Sequence, residues 1–364
     1  MPHAILRQYI HPNISARLGS DSKVCVLSGR EIFATLGKEK SIVMACNPRI
    51  SHVVPGIMRA AEELDALVIF ELTATEGGLD GGYTGQTPEI FVHTLLEQAQ
   101  RHSFTKPFVI HADHITVKDS SEALLTDALR LIEAQRAAGF TSFALDASFN
   151  PLTENIRIVS TLARQMVDAG YGLEVELGEV PTVGSETCLT TVEEAEAFLD
   201  GLAKNGVIPH LLAINNGSHT GNYLDGQMVQ IDLERTAAIY AMASARGVSG
   251  LVQHGITGTP LHLVGRLAEY GIRKGNIGTL WQNVAHAGLP LDLMDTIRRW
   301  SRDTGRDIKY ATGVFKHDID DIPEENVKLI AEMAYREARE FISAFHGKGS
   351  ASRLAGLLGS SRCG

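Results

Sequence analysis

Four histidines and three carboxylates stand in or at the ends of short apolar runs, positions from which side chains can converge on one metal ion. His111-Ala112-Asp113-His114 ends the run Pro107-Phe108-Val109-Ile110. His219 follows Leu211-Leu212-Ala213-Ile214, and His254 ends Gly250-Leu251-Val252-Gln253. Glu174 and Glu176 lie within Leu-Glu-Val-Glu-Leu-Gly. A catalytic zinc ion takes three protein nitrogens or oxygens and keeps one position open. His114, His219 and His254 meet that count from three different strand ends. If the strand runs on through Ala112, His111 and Asp113 share one face and His114 takes the other. A turn beginning at Asp113 reverses this, so spacing leaves open which histidine binds metal. An aspartate beside such a histidine suits proton transfer with a substrate hydroxyl, or serves only to orient the ring. Glu174 and Glu176 share one face of their strand. Inside a barrel the two repel unless they bind a cation or protons; facing outward they form salt bridges. Asp146 is a further carboxylate at the end of a strand.

Those positions require a scaffold in which many strands end at one mouth. From residue 41 onward, short apolar runs alternate with longer amphipathic segments. The strands are expected at Ile42–Cys46, Leu67–Phe70, Phe108–Ile110, Ser142–Leu145, Leu173–Leu177, Leu211–Ile214, Leu251–Gln253 and Gly271–Ile277. Gly139 and Gly170 punctuate two helix ends, and Thr191 with Glu194 forms a capping-box pattern. Buried strands alternating with helices imply a parallel sheet, and a count of eight favours closure. The expected fold is an α/β (β/α)8 TIM barrel with its chemistry at the C-terminal strand ends. The expected organisation is a single domain, 1–364, with the barrel at about 41–304. An N-terminal extension precedes it, in which a helix over Gly29–Leu36 closes the barrel bottom. A C-terminal helical arm, amphipathic over 324–345, presents Val327, Ile330, Ala334, Ala338, Phe341 and Phe345 on one face. A loose tail is expected over 347–364, and the glycine-rich stretch Glu76–Gly85 reads as a lid or a plain connection.

Composition narrows the partners. Lysine plus arginine number 33 and aspartate plus glutamate 43, a net charge of −10. This disfavours nucleic acid and anionic membranes while leaving room for a local phosphate pocket. No apolar stretch reaches the roughly 20 residues of a membrane span, and the N-terminus lacks a signal-peptide layout. The four cysteines are scattered without a CxxC pair, as in a cytoplasmic protein with reduced thiols. Two stretches suit an anion: His254-Gly255-Ile256-Thr257-Gly258-Thr259, and Gly275-Asn276-Ile277-Gly278-Thr279. Both follow the last two strands, where such barrels often hold phosphate.

Taken together, these segments resemble the class II, metal-dependent ketose-bisphosphate aldolases, which include the fructose- and tagatose-bisphosphate enzymes. The resemblance runs from about Ser28 to Gln282. It is carried by Ala45-Cys46-Asn47, His111-Ala112-Asp113-His114, Leu145-Asp146-Ala147-Ser148, Leu173–Gly178, Asn216-Gly217-Ser218-His219, His254-Gly255 and Lys274–Ile277. It implies a dimeric or tetrameric barrel that cleaves a ketose phosphate to dihydroxyacetone phosphate, or a similar ketone, and an aldehyde. Zinc or another divalent ion would be held by His114, His219 and His254, with Glu176 as an alternative ligand or supporting carboxylate. A monovalent cation is also compatible. By the same resemblance, Asp113 is the acid/base at the cleaved bond and Asn276 hydrogen-bonds the enediolate. An acidic loop, here Glu179–Thr187 with Glu186, handles the α-proton. Asn47, Gly255, Thr257, Gly275, Asn276 and Thr279 contact substrate or phosphate.

The departures gather at substrate contacts. Ile256 and Thr257 stand where the family has a second glycine and a serine, and Gly278 replaces an aspartate. The stretch His219-Thr220-Gly221-Asn222-Tyr223 is one residue longer than its family counterpart. The C-terminal Asp-Pro-Arg element that grips a far phosphate has no clear equivalent, with Arg306 and Lys309 as distant candidates. Two other readings are a hydrolase or isomerase using the same histidines, and a non-catalytic barrel that binds sugar phosphate.

Overall fold

The computed structural model describes residues 2–19, 21–178, 188–219 and 231–360. Eight parallel strands close into a ring: β1 (Val43–Cys46), β2 (Val68–Thr73), β3 (Pro107–Thr116), β4 (Ser142–Asp146), β5 (Gly172–Leu177), β6 (Leu211–Ile214), β7 (Gly250–Gln253) and β8 (Ile272–Ile277). Each pairs with its sequence neighbours and β8 pairs with β1, so no edge remains. Helices follow the strands, and the architecture is a (β/α)8 barrel. A short extra strand, Cys25–Val26, lies parallel to the start of β3.

Two apolar assemblies hold this arrangement. One fills the space between strands and helices. The other fills the lower barrel interior, where Val43, Ala45, Ile69, Val109, Leu211 and Val252 meet Ile32, Phe33 and Leu36. Those last three lie on the helix Gly29–Leu36, whose Ser28 side chain accepts from the Arg30 N–H at its start. Each is at most 3% exposed, so this helix plugs the bottom as its apolar spacing requires. The capping box at Thr191 and Glu194 forms with both bonds present. Gly139 and Gly170 end their helices in the left-handed conformation.

The C-terminal arm packs on its own barrel. The helix Glu324–Ala344 buries Ile330, Ala334, Ala338 and Phe341 against the helices Val54–Glu63 and Thr279–Gly288. A Cβ at Gly56 would stand 2.1 Å from the Ala331 carbonyl oxygen, so a glycine allows this close approach. The chain beyond 347 corrects an expectation. Ser350–Ser360 is a helix rather than a loose tail. Its Leu354, Ala355 and Leu358 join the lower interior assembly, and the Leu358 carbonyl accepts from the Tyr9 hydroxyl at 3.2 Å. Small and polar residues suggested a solvated end, but their apolar minority falls on one helical face. Leu354→Ala should therefore cost about 2–5 kcal/mol of stability, read as a lowered midpoint in chemical denaturation.

Candidate active site and metal centre

The third strand runs farther than its apolar run suggested, through His111, Asp113 and His114 to Thr116. Its pairing with β4 shifts register between Ala112 and Ile115, and His114 has φ 43°. A strand residue in the left-handed region marks a bulge that re-aims its side chain. Strict alternation would have sent His114 to the face opposite Asp113. The bulge instead turns both toward the mouth and leaves His111 one layer deeper.

The deeper layer is built of charge. The Lys274 ammonium lies 2.9 Å from Glu174 Oε2, 3.0 Å from Glu71 Oε2 and 3.9 Å from Asp113 Oδ1. Lys274 and Glu71 are fully shielded from solvent. Burial opposes the lysine's charge, but the three carboxylates outweigh it and hold the ammonium above its ordinary range. Burial also opposes ionisation of Glu174, and Lys274 reverses that. Glu71 is pushed well up, by burial and then by Asp113. His111 Nε2 stands 3.4 Å from Glu174. Glu71, His111 and Asp113 present ligand atoms close enough to hold a cation, but Lys274 already supplies the positive charge. Glu174 and Glu176 thus both face the interior, the lower one paired with a lysine and the upper one with a histidine.

At the mouth, Asn276 Nδ2 donates to Asp113 Oδ1 and Asn47 Nδ2 donates to Oδ2, both at 3.2 Å. Burial raises the Asp113 carboxyl, but His114, Lys274 and His111 together hold it below its usual range. It is a buried carboxylate, ionised and fixed by donors on both oxygens. His114 Nδ1 lies 2.8 Å from Glu176 Oε2, and its ring is 4.7 Å from that of His254. Burial, then the nearby Asp146, pushes Glu176 up to about 7. Asp146 itself accepts from Ser148 and Thr116. Burial, then His114, lowers His254 to about 3, so its ring is neutral. His254 Nε2 is buried with no hydrogen-bond partner among the described residues. Gln253 holds this strand end by bonding Asn216 and the His254 carbonyl.

His114, Glu176 and His254 present their ligand atoms within 4.8 Å of one another. Two imidazoles and a carboxylate suit a divalent ion, and the partnerless His254 nitrogen fits such a ligand. His219 is not one of this trio. It lies five residues past β6, directly before residues 220–230, which are outside those described. Its backbone nevertheless adjoins the site: a Cβ at Gly255 would meet the His219 carbonyl at 2.2 Å, and Gly255 has φ 69°. Only glycine fits there.

A cavity of ≈ 130 Å³ opens over Asp113, His114, His254 and Asn276. Gly255, Thr257 and Thr279 line one side, as expected, with Thr279 opening the helix Thr279–Gly288. Thr257 Oγ1 accepts from the Leu280 N–H at 3.3 Å, joining the two loops. Asn276 Oδ1 is buried without a partner among the described residues. Gly275 lies outside this lining. Between inward-facing Lys274 and Asn276 it must face outward, and its Cβ would stand 2.7 Å from Phe345 Cζ. Glu186 and the loop Glu179–Thr187 lie outside the described residues.

Arg49, Thr73 and Glu76 line the other side, and motif reading did not single them out as site residues. Glu76 opens the glycine-rich stretch and is 2% exposed. It accepts from Arg49 Nε at 2.6 Å, Asn47 Nδ2 at 3.1 Å and the Thr73 N–H at 3.0 Å. The stretch is tied to the barrel by this carboxylate. A charged residue three positions past a buried strand was the available signal for Glu76. For Lys274, the signal was its two-residue spacing from Asn276.

Residues 28–345 match the model of the fructose-bisphosphate aldolase class-II family. The chain belongs to that family. It is accordingly an aldolase, a lyase, from a metal-dependent family. It is 29% identical over 230 residues to a fructose-bisphosphate aldolase of Geobacillus stearothermophilus, covering 61% of this chain and 70% of that one. It is 25% identical over 269 residues to a fructose-bisphosphate aldolase of Giardia intestinalis, covering 72% and 75%. In fold it is similar to the YdjI aldolase of Escherichia coli K12, with TM-score 0.64 and 21% identity over 90% of this chain and 99% of that one. No helix among the described residues is long and apolar enough to cross a membrane.

The lysine layer makes a direct prediction. Lys274→Met leaves Glu174 without its buried partner and should cost about 3–5 kcal/mol. Equilibrium denaturation checks this, and an unchanged midpoint would refute the charge balance described above.

Proposed function

We propose that the protein is a metal-dependent aldolase that reversibly cleaves a ketose phosphate, or a related sugar, to dihydroxyacetone phosphate or a similar ketone and an aldehyde. The observation that carries this reading is Asp113: a buried carboxylate held by Asn47 and Asn276 and 3.6 Å from His114 Nε2. A group so fixed accepts the hydroxyl proton beside the bond being broken and returns it in synthesis, as a general base and acid. Asn276 both orients Asp113 and faces the cavity, where its amide can bond the oxygens of the ketone-derived enediolate.

In this reading His114, His219 and His254 hold the ion, with Glu176 as an alternative ligand or the partner that orients His114. When bound, a divalent ion supplies Lewis acidity toward substrate oxygens, and zinc is the proposed ion. Three histidine nitrogens also suit cobalt and other divalent metals. Gly255 and Thr257 after β7, with Thr279 at a helix N-terminus, are the proposed phosphate contacts. Helix N-termini favour anions through their unpaired N–H groups. Glu186 is the proposed carrier of the α-proton. A homodimer or homotetramer in the cytoplasm, built from a single domain, completes the proposal.

The first test is solvent deuterium exchange into dihydroxyacetone phosphate and, separately, dihydroxyacetone, each with and without chelator. Chelator-sensitive exchange is expected, faster with the phosphate. No exchange in metal-loaded protein would overturn the reading. His254→Ala should lose both bound metal and cleavage, the former measured by elemental analysis. Asp113→Ala should keep its metal while cleavage falls about 100- to 10,000-fold, the range for loss of a general acid or base. Metal loss in that variant would instead make Asp113 a support for the ion.

A further inference from the structure

Gly278 lines the cavity, and its backbone does not require glycine. Its φ is −112° and its ψ −58°, open to any residue. A Cβ there would lie 3.1 Å from Arg49 Nη2 and 3.5 Å from Asn47 Oδ1, so a side chain would press directly on the guanidinium, which would have to give by a few tenths of an ångström. Arg49 thus packs against the face of Gly278 from which a carboxylate would project.

Arg49 is built into the cavity wall rather than resting on it. Its side chain is 15% exposed. Nε donates to Glu76 and Nη1 donates to Gln282 Oε1 at 2.8 Å. Those two bonds fix the plane of the group and direct Nη2 toward Gly278 and the cavity. Asn47 links the arginine to the chemistry, since its amide bonds both Glu76 Oε2 and Asp113 Oδ2. If Asp113 serves the hydroxyl beside the cleaved bond, the aldehyde half of the substrate extends from Asp113 toward Asn47 and Arg49. Gly255, Thr257 and Thr279 remain for the ketone's phosphate. Beyond Arg49 the rim is also basic and aromatic. The Tyr83 and Tyr310 rings lie 5.2 Å apart, with the Lys309 ammonium 5.4 Å from the Tyr310 ring.

We propose that Arg49 is a specificity-determining residue that binds an oxyanion, carboxylate or phosphate, on the aldehyde half of the substrate. A planar fork fixed by its own hydrogen bonds suits both anions. An aspartate at 278 would pair with Arg49 and close that position; glycine leaves it open. This inference rests on the aldolase reading and refines its substrate class.

The test uses the metal-loaded enzyme, dihydroxyacetone phosphate as donor and three matched acceptors: glyceraldehyde, glyceraldehyde 3-phosphate and tartronate semialdehyde. The last two place a phosphate or a carboxylate at the end where glyceraldehyde has a hydroxyl. The expected wild-type result is at least a ~10-fold higher kcat/KM for one anionic acceptor than for glyceraldehyde. The favoured anion then identifies the source of the charge. Arg49→Met should lower that anionic kcat/KM roughly 30- to 100-fold while erasing the preference over glyceraldehyde. Because Arg49→Met leaves Glu76 unpaired, Gly278→Asp supplies a second variant that keeps the Arg49–Glu76 pair. It should likewise erase the anionic preference. No anionic preference in wild type, or equal loss with all three acceptors in both variants, would overturn the proposal. Chelator-sensitive exchange into the donor alone separates the cases: its presence leaves the aldolase reading intact while acceptor recognition fails, and its absence overturns both.

Discussion

A lysine inside the closed barrel sets the terms for everything above it. Removing Lys274 from water is costly, and so is burying Glu71, Asp113 and Glu174. Each becomes tolerable only because the others are within reach of one ammonium. The carboxylates outnumber the lysine, so their proton affinities diverge. Burial and the field of Asp113 push Glu71 well up. Burial lowers His114, but Asp113 and Glu176 outweigh it and raise the imidazole well above its ordinary range. The layer below the mouth is thus a fixed electrostatic floor. It holds the Asp113 carboxyl below its usual range although the side chain is buried.

The same strand that feeds this floor also feeds the metal site, and it does so by breaking its own regularity. Within five residues β3 sends His111 to the lower layer and both Asp113 and His114 to the mouth. Only two of those three share a face in a regular strand. The left-handed conformation at His114 costs on the order of 1–3 kcal/mol, offset by the strand pairing on both sides. A buried carboxylate and an imidazole then stand next to each other in sequence and in space.

The order of strands and helices was legible because each buried strand is a short apolar run and each helix repeats with a different period. The plugging helix Gly29–Leu36 and the buried face of Glu324–Ala344 followed from the same periodicity. The mouth residues Asp113, His114, His254 and Asn276 were legible because they stand at or just past the ends of short apolar runs. The rest was hidden for identifiable reasons. The bulge is a tertiary event without a glycine or proline to mark it. The helix Ser350–Ser360 derives its stability from the plug it joins, not from its own composition. Lys274 and Glu71 look like ordinary charges until closure of the ring brings β8, β2 and β5 around them.

The departures from the family pattern have a physical unity that bears on what kind of protein this is. A barrel that had lost catalysis would have no reason to keep Asp113 fixed by two amides, or a buried imidazole nitrogen with no described protein partner. Both are unfavourable unless a substrate or ion completes them. One of the changes, Gly278, lies on a wall where the Arg49 guanidinium packs against it. Glu76 fixes that arginine and is itself bonded to the amide that steadies Asp113. Arg49, Glu76, Asn47 and Gly278 form one unit, because altering any of them changes the space or the charge of the next. Through Asn47 the shape of this wall is tied to the carboxylate of Asp113, so a change at Arg49 or Glu76 reaches the buried group beside the two imidazoles.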